Sequence, residues 1–581
     1  MECDVDGCDN QAFKGNNECA LHCTKNNYQV DRNSGLLSNF NRLLKGFVSK
    51  EIIDGASATE VPHIMLFLKF IDGKLSHEEM QEESFSLYKN QKDEEMTDID
   101  EIISNQIFNF SGFHFPTRDS RDSYDYLKWL KHVGGIHFIN CFFYLRTLDL
   151  ENTRIFFDSC TFEEEFSFSP MSLVENFYNS IFSHCNFLKN FEIAPITDRL
   201  ENNIYNYSVL YNCNYLGNVT LRNSVFNEEV FYREKDSDDN YSIEISNLEV
   251  IDCIFENRFK INYSKMTNLK ISNSHFKSKF EIKNSEVDSF EFENSNVDGI
   301  FDAYKSFFVK AKFYKSIFKD FAAFEYVIFG DEKKENITDF IYTTFKDFSN
   351  FRNTKFKSGL NFSSANIKQE PNFLNTDINL VGTDRETLRI IKNSFEKVNN
   401  KIESNRFFIY EMMRYKREVN NDSKESIYFL KLFIAAVFSC NEYVLNIIGA
   451  SQVFKNVMSA FSKKIVLSAN YYISRFGESY IQPLMIFLFS IGLYTYILEV
   501  HKDIFSEEPV AQYVVLLRNF VTQDWFISLS KFLNTCAANV PLFSKALEKK
   551  SGIEFISIMF FIWFGILTWQ IIIAVKRNTQ H

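Results

Sequence analysis

From about Ile136 to residue 380, apolar residues return every five positions, often with a small residue two places earlier. A period of five fits neither an α-helix, which repeats near 3.6, nor a strand, which alternates every two. The clearest run is Ser306-x-Phe308, Ala311-x-Phe313, Ser316-x-Phe318, in which both members advance together. Ile282, Val287, Phe292 and Val297 form a second run. Met266, Ile271 and Phe276 form a third, offset from the second by one inserted residue, as expected where a coil turns a corner. Further units pair Cys160 with Phe162, Cys185 with Phe187, Ser224 with Phe226, Cys253 with Phe255, Ser349 with Phe351 and Thr354 with Phe356. The chain holds 65 Phe against 19 Gly and 8 Pro, and a repeated slot for Phe is the simplest cause of that bias.

A five-residue unit that turns the chain by about a right angle closes a square coil in four units and sends its large residue inward each time. Stacked coils then pair their backbones at strand spacing, about 4.8 Å per layer. The pattern resembles the pentapeptide-repeat family, whose centre position holds Leu or Phe and whose position two before it holds Ala, Cys, Ser or Thr. The resemblance implies a mainly β fold, a right-handed quadrilateral β-helix over 136–382, followed by α-helices and a two-helix transmembrane region. The chain departs from the family in its heavy use of Phe and at Ala194 to Ser208, Tyr232 to Tyr241 and Gly330 to Asp339, which are expected to leave the coil as loops. A Phe-rich β-sandwich is the competing fold. Poor period-two alternation and scarce tight-turn Gly dipeptides count against it.

Residues 1–34 read as a small zinc-binding knuckle. Cys3, Cys8, Cys19 and His22 follow the spacing C-x4-C-x10-C-x2-H, two close ligand pairs joined by a loop containing Gly15 and Asn16. Three thiolates and an imidazole suit tetrahedral zinc, and four protein ligands make the site structural, because no position is left open for catalysis. So short a segment has no apolar core, and metal binding would have to fold it. Cys23 is a rival fourth ligand, and reduced, exposed cysteines at a disordered terminus are the alternative reading. The stretch resembles small bacterial zinc fingers of the form CxxxGC…C..H, which implies a binding or docking module.

Residues 35–135 form a mixed spacer or cap. LLSNFNRLLKGFV has helical spacing, VPHIMLFLKFI suits a strand or buried segment, and QKDEEMTDIDE reads as an acidic loop. Residues 383–478 read as a helical connector that opens on a capping box, Thr383-Asp384-Arg385-Glu386. Two helices are expected there, in LRIIKNSFEKV and ESNRFFIYEMMRYKREV. Residues 427–448 are apolar but carry Lys431, Asn441 and Glu442, which favours a helix lying at the membrane surface or packing between copies over a span.

Residues 479–581 read as a transmembrane hairpin. Ser479 to Leu498 has no charge, and Phe555 to Val575 is bounded by Glu554 and Lys576. At 1.5 Å per residue each crosses a hydrocarbon layer of about 30 Å. The opening MECDVDGCDN has no signal-peptide pattern, so both termini are expected in the cytosol of a bacterial inner membrane. Arg475, Lys576 and Arg577 agree with that orientation, whereas Lys545, Lys549 and Lys550 oppose it. The connecting loop contains VAQYVVLLRNFVTQDWFISLSKFL, expected as a re-entrant or surface-lying helix. No TVGYG-like filter follows it.

A net charge of -13 argues against nucleic acid as a partner. No phosphate loop, nucleophile elbow or paired metal-His motif is present, so no enzyme is expected, and no catalytic or organic-cofactor residue is assigned. The expected partners are the lipid bilayer, further copies of the chain and an unidentified protein or trigger. By analogy with membrane-linked pentapeptide-repeat proteins, the expected function is an oligomeric membrane effector in bacterial stress or phage defence. The cytosolic repeat would control a pore or membrane-disrupting region. The alternative is a membrane-anchored scaffold that recruits a protein through the repeat and the knuckle. Topoisomerase inhibition by DNA mimicry is a weaker third, because those family members are soluble.

Overall fold

The computed structural model describes residues 2–25, 35–90, 107–117, 127–130, 133–148, 150, 154–169, 180–193, 203–232, 243–331, 335–438, 450–504, 524–538 and 552–579. Contacts divide the chain into two units, Met1–Thr383 and Asp384–His581.

The first unit is built of parallel sheets stacked like a β-solenoid. Ile254 pairs with His275, His275 with Asn296 and Asn296 with Ile317, so one coil uses twenty-one residues. Met266, Ile271, Phe276, Ile282 and Val287 are all buried. Their steps of five, five, six and five place four inward residues on each coil. The offset read from the sequence is therefore one extra residue in this twenty-one-residue coil, at Lys277 to Lys279. Across the insertion at Gly330 to Asp339 the register lengthens, and Ile317 pairs with Thr344.

The small residue two places before each large one has a definite task. It follows a residue with a left-handed backbone at Asn273 (φ 51°), Asn284 (φ 50°), Asn294 (φ 46°), Asn353 (φ 57°) and Asn375 (φ 57°). Asn adopts that conformation at the least cost among residues with a side chain. The hydroxyl after the turn then joins adjacent coils. Ser306 Oγ accepts from Ser285 N at 3.1 Å and donates to Ile282 O at 2.5 Å. Ser316 Oγ accepts from Ser295 N at 3.4 Å and donates to Phe292 O at 3.1 Å. Cys160 Sγ donates in the same way to Phe138 O at 3.3 Å. These groups satisfy backbone atoms that a corner would leave unpaired in a dry interior.

Inside the coils the aromatic rings stack. Phe308, Phe329 and Phe356 repeat at 5.4 and 5.1 Å, and Phe324, Phe351 and Phe373 at 4.9 and 5.1 Å. Pairing begins earlier than the quintet pattern, since Ile107–Ser111 pairs with Gly135–Ile139. In this first coil Phe108 and Phe113 occupy the positions where a small residue marks later quintets, which hid the repeat.

Helix α1 (Leu36–Asp54) forms where expected and lays Phe40 against Phe115 and Phe47 against Phe110 and Phe113. VPHIMLFLKFI is a helix, α2 (Val61–Ile71), and not a strand. Pro62 sits in its first turn and Ile64 and Phe67 are buried. A short continuous apolar run carries no period by which to separate the two. Helix α3 (His77–Asn90) follows. QKDEEMTDIDE lies outside the described residues, as do most of Ala194 to Ser208 and Tyr232 to Tyr241. Within the first of these, Ile204–Tyr205 is a strand of a sheet.

The second unit is helical: α4 (Arg385–Lys397), α5 (Lys401–Phe438), α6 (Ala450–Ser474), α7 (Ile481–Ile504), α8 (Asp524–Ala538) and α9 (Glu554–Thr579). The N-cap of α4 is Asp384, whose carboxylate accepts from Glu386 N and Thr387 N at 3.2 and 3.3 Å. Thr383, the first residue of the expected capping box, instead donates to Asn379 O and accepts from Leu360 N. The α5 helix runs unbroken through residues 427–438; residues 439–449 lie outside the described residues.

One charged cluster on the first unit gives a pH dependence. Burial opposes ionisation of Glu281, but hydrogen bonds from Lys279 and Asn262 and the charges of Lys279 and Lys283 outweigh it and hold the carboxyl at about 2. Its contribution is present above its ordinary value of 4.5 and is lost as pH falls towards 2. Glu281→Gln is expected to flatten the acid limb of the stability curve in that window. Phe324→Ala, at a fully buried ring, is expected to cost about 3–5 kcal/mol, measured by denaturation of the full chain in detergent.

Candidate metal centre and membrane helices

The four residues selected by spacing meet in space. The ligand atoms of Cys3, Cys8, Cys19 and His22 all lie within 4.8 Å of one another. Cys8 Sγ is 3.7 Å from Cys19 Sγ, and His22 Nδ1 is 3.3 Å from Cys19 Sγ and 3.6 Å from Cys3 Sγ. Tetrahedral thiolates about 2.3 Å from a common ion are separated by about 3.8 Å, so the four donors lie close enough to hold a metal ion. The described cysteines are free thiols.

Local backbone explains the placement. Gly7 and Gly15 have left-handed φ of 80° and 82°, which turns the chain back after each strand of the small Glu2–Gln11 bridge. Cys19 N donates to Cys3 Sγ at 3.2 Å and Asn10 Nδ2 to Cys8 Sγ at 3.4 Å. Such donors orient sulfur ligands and offset their charge. Burial pushes the Cys19 thiol up to about 12 and pulls the His22 imidazole down. A cation among them reverses the cost for the thiols.

Cys23 is not part of the cluster. Its carbonyl and Sγ both accept from Lys25 Nζ, the latter at 3.5 Å. Burial lowers Lys25 to about 8, against the opposing charges of Cys23 and Cys19. No motif pointed to Lys25, to Asn10 or to the surface on which the knuckle rests. His22 meets Phe113 edge to face at 5.2 Å, His114 N donates to Leu21 O at 2.7 Å, and Ala20 and Leu21 are buried. The knuckle is therefore packed on the first coil of the solenoid. The remaining described cysteines of the first unit serve the coil corners, and burial pushes the Cys253 thiol up to about 12.

In the second unit, Ile481–Lys502 and Glu554–Thr579 are long and apolar enough to cross a membrane, by length and composition. They face each other through polar pairs. Tyr494 OH donates to Ser557 Oγ at 2.9 Å and Trp563 Nε1 to Ser490 Oγ at 3.0 Å, beside a Phe487–Phe564 contact at 5.3 Å. Leu488, Phe489, Met559 and Trp569 point outward, with Phe489 74% exposed. At the end of α9, Arg577 donates to Phe476 O and lies 4.3 Å from the Phe408 ring, and Asn405 Nδ2 donates to Arg577 O at 3.1 Å. Phe476 and Gly477 sit in an elbow between α6 and α7, with left-handed φ of 59° and 86°. Of the apolar connecting segment, Asp524–Ala538 is helical, and its Asn534 holds Gly552 O at 2.6 Å and Phe555 N at 3.0 Å. The rest of that segment lies outside the described residues.

No known protein family, curated protein or solved structure matches the chain.

The cluster predicts one divalent ion per chain, measured by elemental analysis after purification. Cys8→Ser is expected to lose most of it and Cys23→Ser to keep it. Because the ion displaces protons from its ligands, affinity falls as pH falls.

Proposed function

We propose that this chain is an oligomeric effector of the bacterial cytoplasmic membrane. In this reading the first unit is a right-handed quadrilateral β-helix of the pentapeptide-repeat type that senses or binds a partner in the cytosol. The paired apolar helices cross the bilayer, and both termini lie on the cytosolic side. The ion of the knuckle is zinc in a structural role, and the chain performs no catalysis. Four inward positions per coil, as at Met266, Ile271, Phe276 and Ile282, support the quadrilateral shape.

The observation that carries the membrane role is the arrangement of the two apolar helices. Tyr494 bonds to Ser557 and Trp563 to Ser490 between the helices, while Leu488, Phe489 and Met559 point away. A water-soluble core has the opposite pattern, whereas a pair immersed in lipid buries its polar groups between helices. Two helices do not enclose a channel alone, so a pore needs several copies around an axis. The contacts of Arg577 with Phe476, Phe408 and Asn405 supply a route by which movement of α5 would reach the spanning pair. A role in stress or phage defence fits a membrane-permeabilising effector.

Reconstitution tests this reading. The full chain in vesicles is expected to release a small trapped dye or to conduct ions once its trigger is supplied, and to run as a closed oligomer in detergent. A strict monomer that leaves vesicles sealed while retaining a stable protein partner would replace this reading with the scaffold.

A further inference from the structure

The parallel ladders of the first unit do not all run its length. The six-stranded sheet stops at Phe231–Tyr232 and one five-stranded sheet stops at Asn214–Tyr215. An eight-stranded sheet starts at Ile204–Tyr205 and a second five-stranded sheet at Phe259–Lys260. Only the twelve-stranded sheet passes through this region. Where ladders stop and start, successive coils cannot cover each other's outer side chains, and a cavity of about 660 Å³ opens there. That size is within the range of about 300–1,000 Å³ common for small-ligand sites.

The lining has one chemical character. Tyr207, Tyr211 and Tyr232 provide aromatic surface, and Glu228 and Glu229 provide negative charge. Tyr211 and Tyr232 stack one coil apart at 5.3 Å with planes 11° from parallel, and Tyr232 is left 44% exposed. Glu229 has only a loose ion pair, 3.9 Å from Arg258 Nη1. Glu228 accepts from the neutral Asn257 Nδ2 at 3.0 Å and has no ion pair among the described residues. Ser208 Oγ, also on the lining, is buried without a hydrogen-bond partner among the described residues. Among the described residues no lysine or arginine lines this cavity, whereas the clefts around Arg146 and Arg222, around Lys265, and around Lys14 and Arg42 all carry cations.

The same solenoid shows what its half-buried tyrosines accept. Lys305 Nζ lies 5.3 Å from the Tyr304 ring, and Lys312 and Lys315 lie 5.2 and 5.1 Å from Tyr314. Tyr232 has no such cation among the described residues. We propose that the cavity at the change of sheets binds an organic cation, the ammonium or guanidinium end of a free amine or of a basic side chain. The ring faces would receive the cation by its charge and apolar edge, and Glu228 would pair with it. This site does not depend on pore formation, and binding and conductance can each fail without the other.

The test uses the full chain in detergent at low salt and ligand-observed NMR. Choline, acetyl-lysine amide and acetyl-arginine amide are the probes, with 3,3-dimethylbutan-1-ol as the neutral counterpart of choline. At least one cation is expected to bind, the alcohol to bind at least about tenfold more weakly, and affinity to fall with added salt. Tyr232→Leu and Glu228→Gln are expected to weaken binding at least about tenfold, and Tyr232→Phe to retain it, since it keeps the ring face. Binding of choline alone identifies a small amine as the source; binding of the blocked amino acids alone identifies a basic side chain. The proposal is overturned if no cation binds, if the alcohol binds as well as choline, or if Tyr232→Leu and Glu228→Gln both bind like the parent chain.

Discussion

The first unit depends on a match between corner and interior. Two corners of each twenty-one-residue coil, as at Asn273 and Asn284, use a left-handed residue and then a small polar side chain that reaches the neighbouring coil. Each side needs one large residue to fill the space behind it. Ser285, Ser306 and Ser316 hold the coils in register by both donating to and accepting from the backbone of the preceding coil, and the rings of Phe308, Phe329 and Phe356 stack in the same register. The stacking survives changes of coil length, since Phe324 and Phe351 stack twenty-seven residues apart and Phe351 and Phe373 twenty-two.

A stack of parallel coils also leaves open edges, which invite pairing with other chains. At the N-terminal end, α1 lays Phe40 and Phe47 over the first coil. The metal knuckle adds His22 and the carbonyl of Leu21 to the same coil. An ion held by the Cys3, Cys8, Cys19 and His22 cluster would thereby be connected to the first coil through shared contacts. The helical unit solves a different problem. There Ser490, Tyr494, Ser557 and Trp563 bond between α7 and α9, and large apolar side chains such as Leu488, Phe489 and Met559 make up much of the outer surface.

Much of this was legible in the residues. The five-residue step exposed the coil, because most inward positions hold large apolar groups and the left-handed corners are often followed by Ser or Thr, as at Ser274, Ser285, Ser295, Thr354 and Thr376. The C-x4-C-x10-C-x2-H spacing identified the four clustered ligands, because metal geometry demands those side chains at short loop distances. The first coil was hidden by Phe108 and Phe113 in place of small residues. The α2 run was ambiguous because an unbroken apolar stretch has no face. The cap of α4 fell on Asp384, since Thr383 was already committed to Asn379 and Leu360 in the last coil.

Local chemistry thus determined the repeat, the metal ligands and the two apolar helices, each of which depends on residue type at a short spacing. Three features were decided only by the tertiary structure: Cys23 turned towards Lys25 and away from the cluster, the knuckle packed on the first coil, and tyrosines and glutamates gathered where ladders end and begin. All three arise from contacts between residues of different coils or segments, and spacing along a chain carries no record of which surfaces will meet.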